Sequence, residues 1–273
     1  MKIVFLCGDA PNQRALACRL HRIVPLSAVA IAGRRAPRKR ADWRRRLAAV
    51  TWGLPLRRTW FGMLRHYARL FPDFPAVPVT RYDDIDAPAL AEMIDRERPD
   101  LVLVSGTALL KPPLIERIGR NGRILNLHTG ISPYIKGAPN CTNWALALGE
   151  FDAIGNTIMW LDAGIDSGAI AATERTPLTG RESLSALHVA VMDHAHDLYG
   201  RCLKRLAEGR SLPAVVQGEI DPGRLFLLRH WNGRQMLRAV ANFYGRYNPR
   251  AIAAPRALRL ISPDFEEPIA PRA

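Results

Sequence analysis

The sequence predicts an α/β fold in which a mostly parallel, twisted sheet is flanked by helices. The first observation is an apolar run from Ile3 to Cys7, which stops at Gly8 and is followed by Ala15, Leu16 and Leu20 at helical spacing. The second is that short apolar runs keep alternating with helical patterns along the chain. Strands that are apolar throughout are typical of parallel sheets covered by helices on both faces. Such sheets bind ligands at the carboxyl ends of their strands.

The same patterns assign the remaining elements in chain order. Further strands are predicted at 26–32, 100–104, 124–128, 158–161, 215–216 and 225–228. Helices are predicted at 87–97, 183–207 and 233–243, before a Pro-rich tail. We therefore expect one large domain over 1–208, interrupted by an insert at about 34–76, and a small C-terminal extension over 209–273.

Composition limits the partners and the compartment. The net charge of +14, from 39 Lys and Arg against 25 Asp and Glu, predicts an anionic partner such as a phosphate, a nucleotide, nucleic acid or an acidic membrane. The four cysteines form no metal-binding or disulfide pattern, which favours a reducing compartment. No apolar run has the roughly 18 residues of a membrane span or the pattern of a secretory signal. We therefore expect a cytoplasmic protein.

The insert carries two patterns of its own. Residues 34–46 contain eight basic residues against one acidic residue, Asp42. An apolar stripe at near-helical spacing follows and consists of Trp52, Leu56, Trp60, Met63, Leu64 and Tyr67. Three interpretations are open: a basic patch for phosphate or nucleic acid, an amphipathic helix in peripheral contact with a membrane, or a solvated Arg-rich helix pair whose apolar face packs on the core.

Three side chains are candidates for catalysis. Asn126 and His128 are two residues apart at the end of a predicted strand, so both side chains point to one face. Asp166 lies in a glycine-flanked segment after the next strand, where the backbone can bend toward the same sheet edge. An amide donor, an imidazole and a carboxylate in one cleft are the groups that acyl transfer to an amine requires.

These residues belong to a series of motifs that resembles a known family. The motifs are Asn126-Leu127-His128, Ile131-Ser132-Pro133, Lys136-Gly137, Gly155-Asn156-Thr157 and Ile165-Asp166-Ser167-Gly168. Their order and spacing are similar to those of the 10-formyltetrahydrofolate-dependent formyltransferases, which have a Rossmann-like domain. The resemblance implies that Asn126 stabilises the oxyanion formed from the formyl group. It also implies that His128 and Asp166 handle the proton of the attacking amine.

The resemblance further implies where 10-formyltetrahydrofolate binds. One segment of the expected folate site consists of Ser105, Gly106, Thr107, Ala108, Leu109 and Leu110. The other consists of Leu161, Asp162, Ala163, Gly164 and Ile165. Because folate carries an already activated formyl group, no metal ion is expected.

Three classes of molecule are candidates for the acceptor amine. Purine-pathway enzymes have a glycine-rich first loop for a phosphate, whereas this chain has an acidic residue and Pro11 there and retains only Asn12. The basic excess favours methionyl-tRNA enzymes, but few residues remain after Gly209 for the C-terminal barrel that such enzymes usually carry. The segment from Asn140 to Glu150 is most similar to enzymes that formylate nucleotide-linked amino sugars for surface glycans such as lipopolysaccharide.

We therefore expect a small-molecule nucleotide-sugar acceptor, with tRNA less favoured. The residues expected to contact it are Asn12, Lys136, Gly137 and Asn140. A further alternative is a folate-binding or regulatory module without catalysis, although such a module needs no complete set of Asn126, His128 and Asp166. The C-terminal extension leaves a homodimer open.

Overall fold

The computed structural model describes residues 1–32, 51, 53–137, 140–162 and 167–264. Nine strands are found in these residues: β1 Ile3–Cys7, β2 Ala28–Ala32, β3 Val79–Tyr82, β4 Leu101–Ser105, β5 Arg123–His128, β6 Lys136–Gly137, β7 Gly155–Trp160, β8 Ile170–Arg175 and β9 Leu225–Phe226. Seven of them form one sheet in the order β3-β2-β1-β4-β5-β7-β8, while β6 and β9 form a small second sheet.

The large sheet is mostly parallel, as the sequence predicts. The strands from β3 to β5 run parallel, and every residue of β1, β2 and β4 is buried. The two strands at the other end, β7 and β8, pair antiparallel. Strand β3 was not predicted, because three of its four residues are exposed at the sheet edge and its sequence therefore contains no apolar run.

Helices cover both faces of this sheet. The eight helices within the described residues are α1 Pro11–Ile23, α2 Leu54–Leu70, α3 Pro88–Glu97, α4 Pro112–Gly119, α5 Cys141–Leu148, α6 Leu184–Ala207, α7 Gly233–Arg246 and α8 Pro249–Ala253. Leu16 of α1 and Leu198 of α6 pack on one face, together with alternate residues of the strands. Leu90 of α3 and Leu114 of α4 pack on the opposite face. The prediction of a sheet flanked by helices is confirmed.

Helix α2 holds the described part of the apolar stripe in the insert. Met63 and Tyr67 of this helix are buried against Ala15 of α1 and Met192 of α6. The apolar face of α2 therefore packs on the core, as one of the three interpretations predicts. Residues 34–50, including the basic run, and Trp52 lie outside the described residues.

The C-terminal region forms a smaller core beside α5. Met236 and Phe243 of α7 are buried in the same cluster as Trp144, whose indole stacks on Phe226 with 4.4 Å between ring centroids. The predicted strand at 215–216 is wrong: Val215 forms a single bridge to Ile170, and Val216 is exposed. None of the described helices combines the length and the apolar character needed to cross a membrane.

Candidate active site

A cleft of about 620 Å³ opens at the carboxyl ends of β1, β4 and β5, and we call it the active-site cleft. Of the residues predicted for the site, it is lined by Asn12, Ser105, Gly106, Thr107, Ala108, Leu109, Leu110, Asn126, His128, Gly137, Asn140, Leu161 and Asp162. Lys136 is half-buried on β6 and does not line it. Four predicted residues lie outside the described residues: Ala163, Gly164, Ile165 and Asp166.

Strand β5 brings Asn126 and His128 to the same cleft. Asn126 is paired with Met159 of β7, and His128 is paired with Thr157. The side chain of Asn126 is half-buried and makes no hydrogen bond within the described part of the chain. Its amide N–H groups are therefore available to an oxygen of a ligand in the cleft.

The imidazole of His128 is largely buried and is positioned by the segment that follows it. Its Nε2 atom lies 3.4 Å from the Sγ atom of Cys141 and 3.5 Å from the carbonyl oxygen of Ile135. The thiol of Cys141 also lies 3.5 Å from the carbonyl oxygen of Gly137. Cys141 is the first residue of α5, and Asn140 caps this helix by accepting a 3.1 Å hydrogen bond from the backbone N–H of Asn143.

The turn after His128 is fixed by Thr157 on the neighbouring strand. The Thr157 hydroxyl donates to the carbonyl oxygen of Gly130 and accepts from the backbone N–H of Ser132, at 2.7 and 2.9 Å. A Cβ atom on Gly130 would lie 2.7 Å from Nε2 of His128. This arrangement gives a physical reason for a glycine at position 130 and for a threonine at position 157.

The loop after β7 is anchored at both of its described ends. The backbone N–H of Leu161 donates to the carbonyl oxygen of Ile124 at 2.9 Å, and the hydroxyl of Ser167 donates to Oδ1 of Asp162 at 2.6 Å. The side-chain amide of Gln217 donates to the carbonyl oxygen of Gly168 at 2.8 Å. Asp162 and Ser167 both line the active-site cleft, so the described ends of this loop contribute to its wall.

The leucines predicted to cover the folate occupy different environments. Leu109 is 52% exposed at the mouth of the cleft, whereas Leu110 is 2% exposed and packs with the core under α3 and α4. Both line the cleft. The backbone of the segment that contains them approaches the first loop closely, because a Cβ atom on Gly8 would lie 2.5 Å from the carbonyl oxygen of Gly106.

Two side-chain amides at the start of α1 line the cleft and contain buried oxygens. Nδ2 of Asn12 donates to the sulfur of Met192 at 3.6 Å, while its Oδ1 atom is buried and has no hydrogen-bond partner among the described residues. The Oε1 atom of Gln13 is likewise buried and has no hydrogen-bond partner among the described residues. Buried polar atoms are normally hydrogen-bonded, so these two oxygens are suited to accept hydrogen bonds from a bound ligand.

Sequence reasoning missed several residues of this cleft. They are Asp9, Gln13, Trp60, Cys141, Met159 and Met192. Trp60 belongs to the apolar stripe of the insert, and Cys141 lies in the segment from Asn140 to Glu150, directly after the predicted acceptor contact Asn140, which was a usable indication. Among the residues that the structure describes, no group of three or more His, Cys, Asp or Glu side chains is placed to hold a metal ion.

A family model matches the part of the chain that contains much of this cleft. Residues 72–203 match the family model described as formyl transferase. The matched residues make up just under half of the chain and include the motifs around Asn126.

One relative of known name is a methionyl-tRNA formyltransferase. The chain is 33% identical over 141 residues to the methionyl-tRNA formyltransferase of Syntrophus aciditrophicus, a match that covers 52% of this chain and 44% of that protein. The chain thus spans less than half the length of this relative.

Two solved structures share the fold at lower identity. The N-formyltransferase of Helicobacter canadensis, in complex with folinic acid and dTDP-3-aminofucose, has a TM-score of 0.55 at 14% identity, over 89% of this chain and 81% of that chain. Glycinamide ribonucleotide transformylase 1 of Symbiobacterium toebii has a TM-score of 0.52 at 21% identity, over 79% of this chain and 94% of that chain.

Proposed function

We propose that this protein transfers a formyl group from 10-formyltetrahydrofolate to the amine of a nucleotide-linked amino sugar, in the synthesis of surface glycans. The observation that carries the proposal is the pair Asn126 and His128 at the end of β5, facing one cleft in a formyl transferase domain. A catalytically silent module is disfavoured, since binding alone gives no reason to hold an unpaired amide beside an imidazole.

The reaction forms one C–N bond and breaks another. The acceptor amine attacks the formyl carbon, the bond from this carbon to N10 of the folate breaks, and one proton passes from the amine to N10. In the tetrahedral intermediate the formyl oxygen carries negative charge, and the amide N–H of Asn126 stabilises it. An interaction of this kind typically contributes about 3–4 kcal/mol in comparable sites.

His128 is the residue to which we assign the transfer of the proton from the acceptor amine. The contacts of its Nε2 atom with Cys141 and Ile135 hold the ring in place. We assign Asp166 the role of orienting His128 and raising its basicity, because its neighbour Ser167 lines the same cleft. Proton transfer by a positioned imidazole contributes about 10²- to 10⁴-fold in enzymes of many kinds.

Three features of the cleft support a folate co-substrate. The chain segment from Ser105 to Leu110 offers backbone groups, and Leu109 offers an apolar side chain at the mouth. The unpartnered oxygens of Asn12 and Gln13 are acceptors for polar groups of either substrate. The Helicobacter canadensis structure, which shares the fold, contains folinic acid.

The first loop disfavours a phosphate such as that of glycinamide ribonucleotide. Asp9 places a carboxylate there, in a 2.6 Å ion pair with Arg81. Pro11 begins α1 and lacks an N–H at the point where a helix N-terminus would donate to a phosphate. The amino-sugar acceptor is supported by the nucleotide sugar in the Helicobacter canadensis structure.

An acceptor panel tests this proposal. Purified protein and 10-formyltetrahydrofolate are incubated separately with dTDP-, UDP- and GDP-linked amino sugars, with glycinamide ribonucleotide and with methionyl-tRNA, and products are identified by mass. We expect a formylated nucleotide sugar and no other product. Formylation of methionyl-tRNA alone would overturn the acceptor while leaving formyl transfer intact, and the absence of any formylated product would contradict the function.

A further inference from the structure

A second pocket, of about 290 Å³, opens beside the active-site cleft, and we call it the side pocket. It lies where α2, α5 and α7 meet. Trp60 and Asn140 line both the side pocket and the active-site cleft, so the two spaces are adjacent. These two side chains therefore form the boundary between the active-site cleft and the side pocket.

The walls of the side pocket are aromatic. Trp60 and Phe61 come from α2, and Trp231 precedes α7. Phe61 is 51% exposed, whereas Leu56 and Trp231, which line the same pocket, are buried. A flat ring between aromatic side chains gains stacking energy of about 1–3 kcal/mol, and every nucleobase presents such a face.

One polar atom in the side pocket lacks a partner. Oδ1 of Asn143 is buried and accepts no hydrogen bond from the described residues, while the backbone N–H of the same residue is used by the cap at Asn140. A buried carbonyl oxygen of this kind calls for a donor. The side-chain amide of Asn143 offers an acceptor and a donor side by side, which matches the hydrogen-bonding edge of a base.

Arg57 supplies positive charge at the same place. It lines the side pocket, its side chain is exposed, and it forms no ion pair in the part of the chain that the structure describes. Arginine is well suited to bind phosphate oxygens through two parallel hydrogen bonds.

We propose that the side pocket binds the nucleoside diphosphate part of the acceptor. The base stacks among Trp60, Phe61 and Trp231 and bonds to Asn143, and the diphosphate lies by Arg57. This inference names a subsite for the proposed nucleotide-sugar acceptor and rests on that function for its biological meaning. It places the sugar at the boundary between pocket and cleft, with its amine directed to Asn126 and His128.

Nucleotide binding without catalysis tests the side pocket. The full chain is titrated separately with dTDP, UDP, GDP and ADP, and tryptophan fluorescence is followed, because Trp60 and Trp231 are in the pocket wall. At least one nucleotide is expected to quench the fluorescence and saturate. Phe61→Ala and Asn143→Leu are each expected to raise the Kd roughly fivefold to a hundredfold. Tyr244→Ala is the matched control, since Tyr244 is 70% exposed on α7 and does not line the pocket.

The outcomes separate this inference from the proposed function. The absence of quenching by every nucleotide, or equal Kd values for wild type and both variants, would overturn the side pocket as a nucleotide subsite. Quenching by L-methioninamide in place of any nucleotide would assign the pocket to an amino-acid side chain and would also overturn it. Nucleotide binding that depends on Phe61, in a protein that formylates no acceptor, would uphold the subsite and contradict the function.

Discussion

The hydroxyl of Thr157 donates a 2.7 Å hydrogen bond to the carbonyl oxygen of Gly130, two residues beyond His128. The oxygen of the same hydroxyl accepts the backbone N–H of Ser132 at 2.9 Å. Thr157 is fully buried, as is its neighbour on β7, Asn156. One side chain on β7 thus uses its donor and its acceptor to fix the turn that follows His128.

Thr157→Val is expected to impair both stability and formyl transfer. Valine has nearly the same shape but leaves the buried N–H of Ser132 and the carbonyl oxygen of Gly130 without a partner. The free energy of unfolding should fall by about 1–3 kcal/mol in urea titrations. The kcat should fall roughly tenfold to a hundredfold, because the turn no longer holds His128. Thr157→Ser keeps the hydroxyl and serves as the control; equal rates in the serine and valine variants would contradict this role.

Gly130→Ala is expected to displace the imidazole of His128. The new Cβ atom would lie 2.6 Å from Cβ of Cys141 and 2.7 Å from Nε2 of His128, closer than van der Waals contact allows. We expect kcat to fall roughly a hundredfold, with a smaller change in folate binding, measured by steady-state kinetics and by a folate titration. The control is Gly218→Ala, because a Cβ atom there meets nothing within 4 Å. Wild-type kcat in Gly130→Ala would show that the ring position is not set by this contact.

Stability is expected to decrease in mildly acidic solution through His188. Burial lowers the pKa of its imidazole from 6.5 to about 4, and Nε2 has no hydrogen-bond partner among the described residues. Below pH 6.5 the unfolded chain binds a proton at this position, whereas the folded chain does so only near pH 4. The contribution of this neutral histidine to the free energy of unfolding is therefore fully present above pH 6.5 and is lost as the pH falls toward 4.

Chemical denaturation between pH 7.5 and pH 4 measures this effect. His188→Leu removes the titrating group and should make the free energy of unfolding fall less steeply with decreasing pH than in the wild type. His66→Leu is the control, because the imidazole of His66 is exposed on α2. Identical pH dependence in wild type and His188→Leu would refute the assignment.

The alternation of apolar runs with helical patterns was sufficient to predict the centre of the fold. The strands that begin at Ile3 and Leu101 are buried throughout, so their sequences carry an unambiguous pattern. Helix α6 ends at Ala207, as predicted, and begins at Leu184 behind the cap Ser183, whose hydroxyl accepts from the backbone N–H of Ala186. Strand β3 was missed because Val79 and Thr80 are exposed at the sheet edge.

The sequence predicted those parts of the site in which residues close in sequence are also close in space. Asn126 and His128 share a strand, so their common face followed from the two-residue period. The contact of Cys141 with His128 depends on where α5 begins after the turn, and no period in the sequence encodes it. Trp60 reaches the cleft because α2 packs across α1 and α6, a tertiary arrangement that the apolar stripe alone did not reveal.

The rate of the variant Asn126→Ala tests most directly whether the amide of Asn126 stabilises the oxyanion during formyl transfer. Turnover is measured with 10-formyltetrahydrofolate and the acceptor found by the panel, beside the exposed control Asn121→Ala. We predict that kcat falls about 10²- to 10³-fold in Asn126→Ala, with folate affinity nearly unchanged and Asn121→Ala at the wild-type rate. A wild-type kcat in Asn126→Ala would contradict the mechanism.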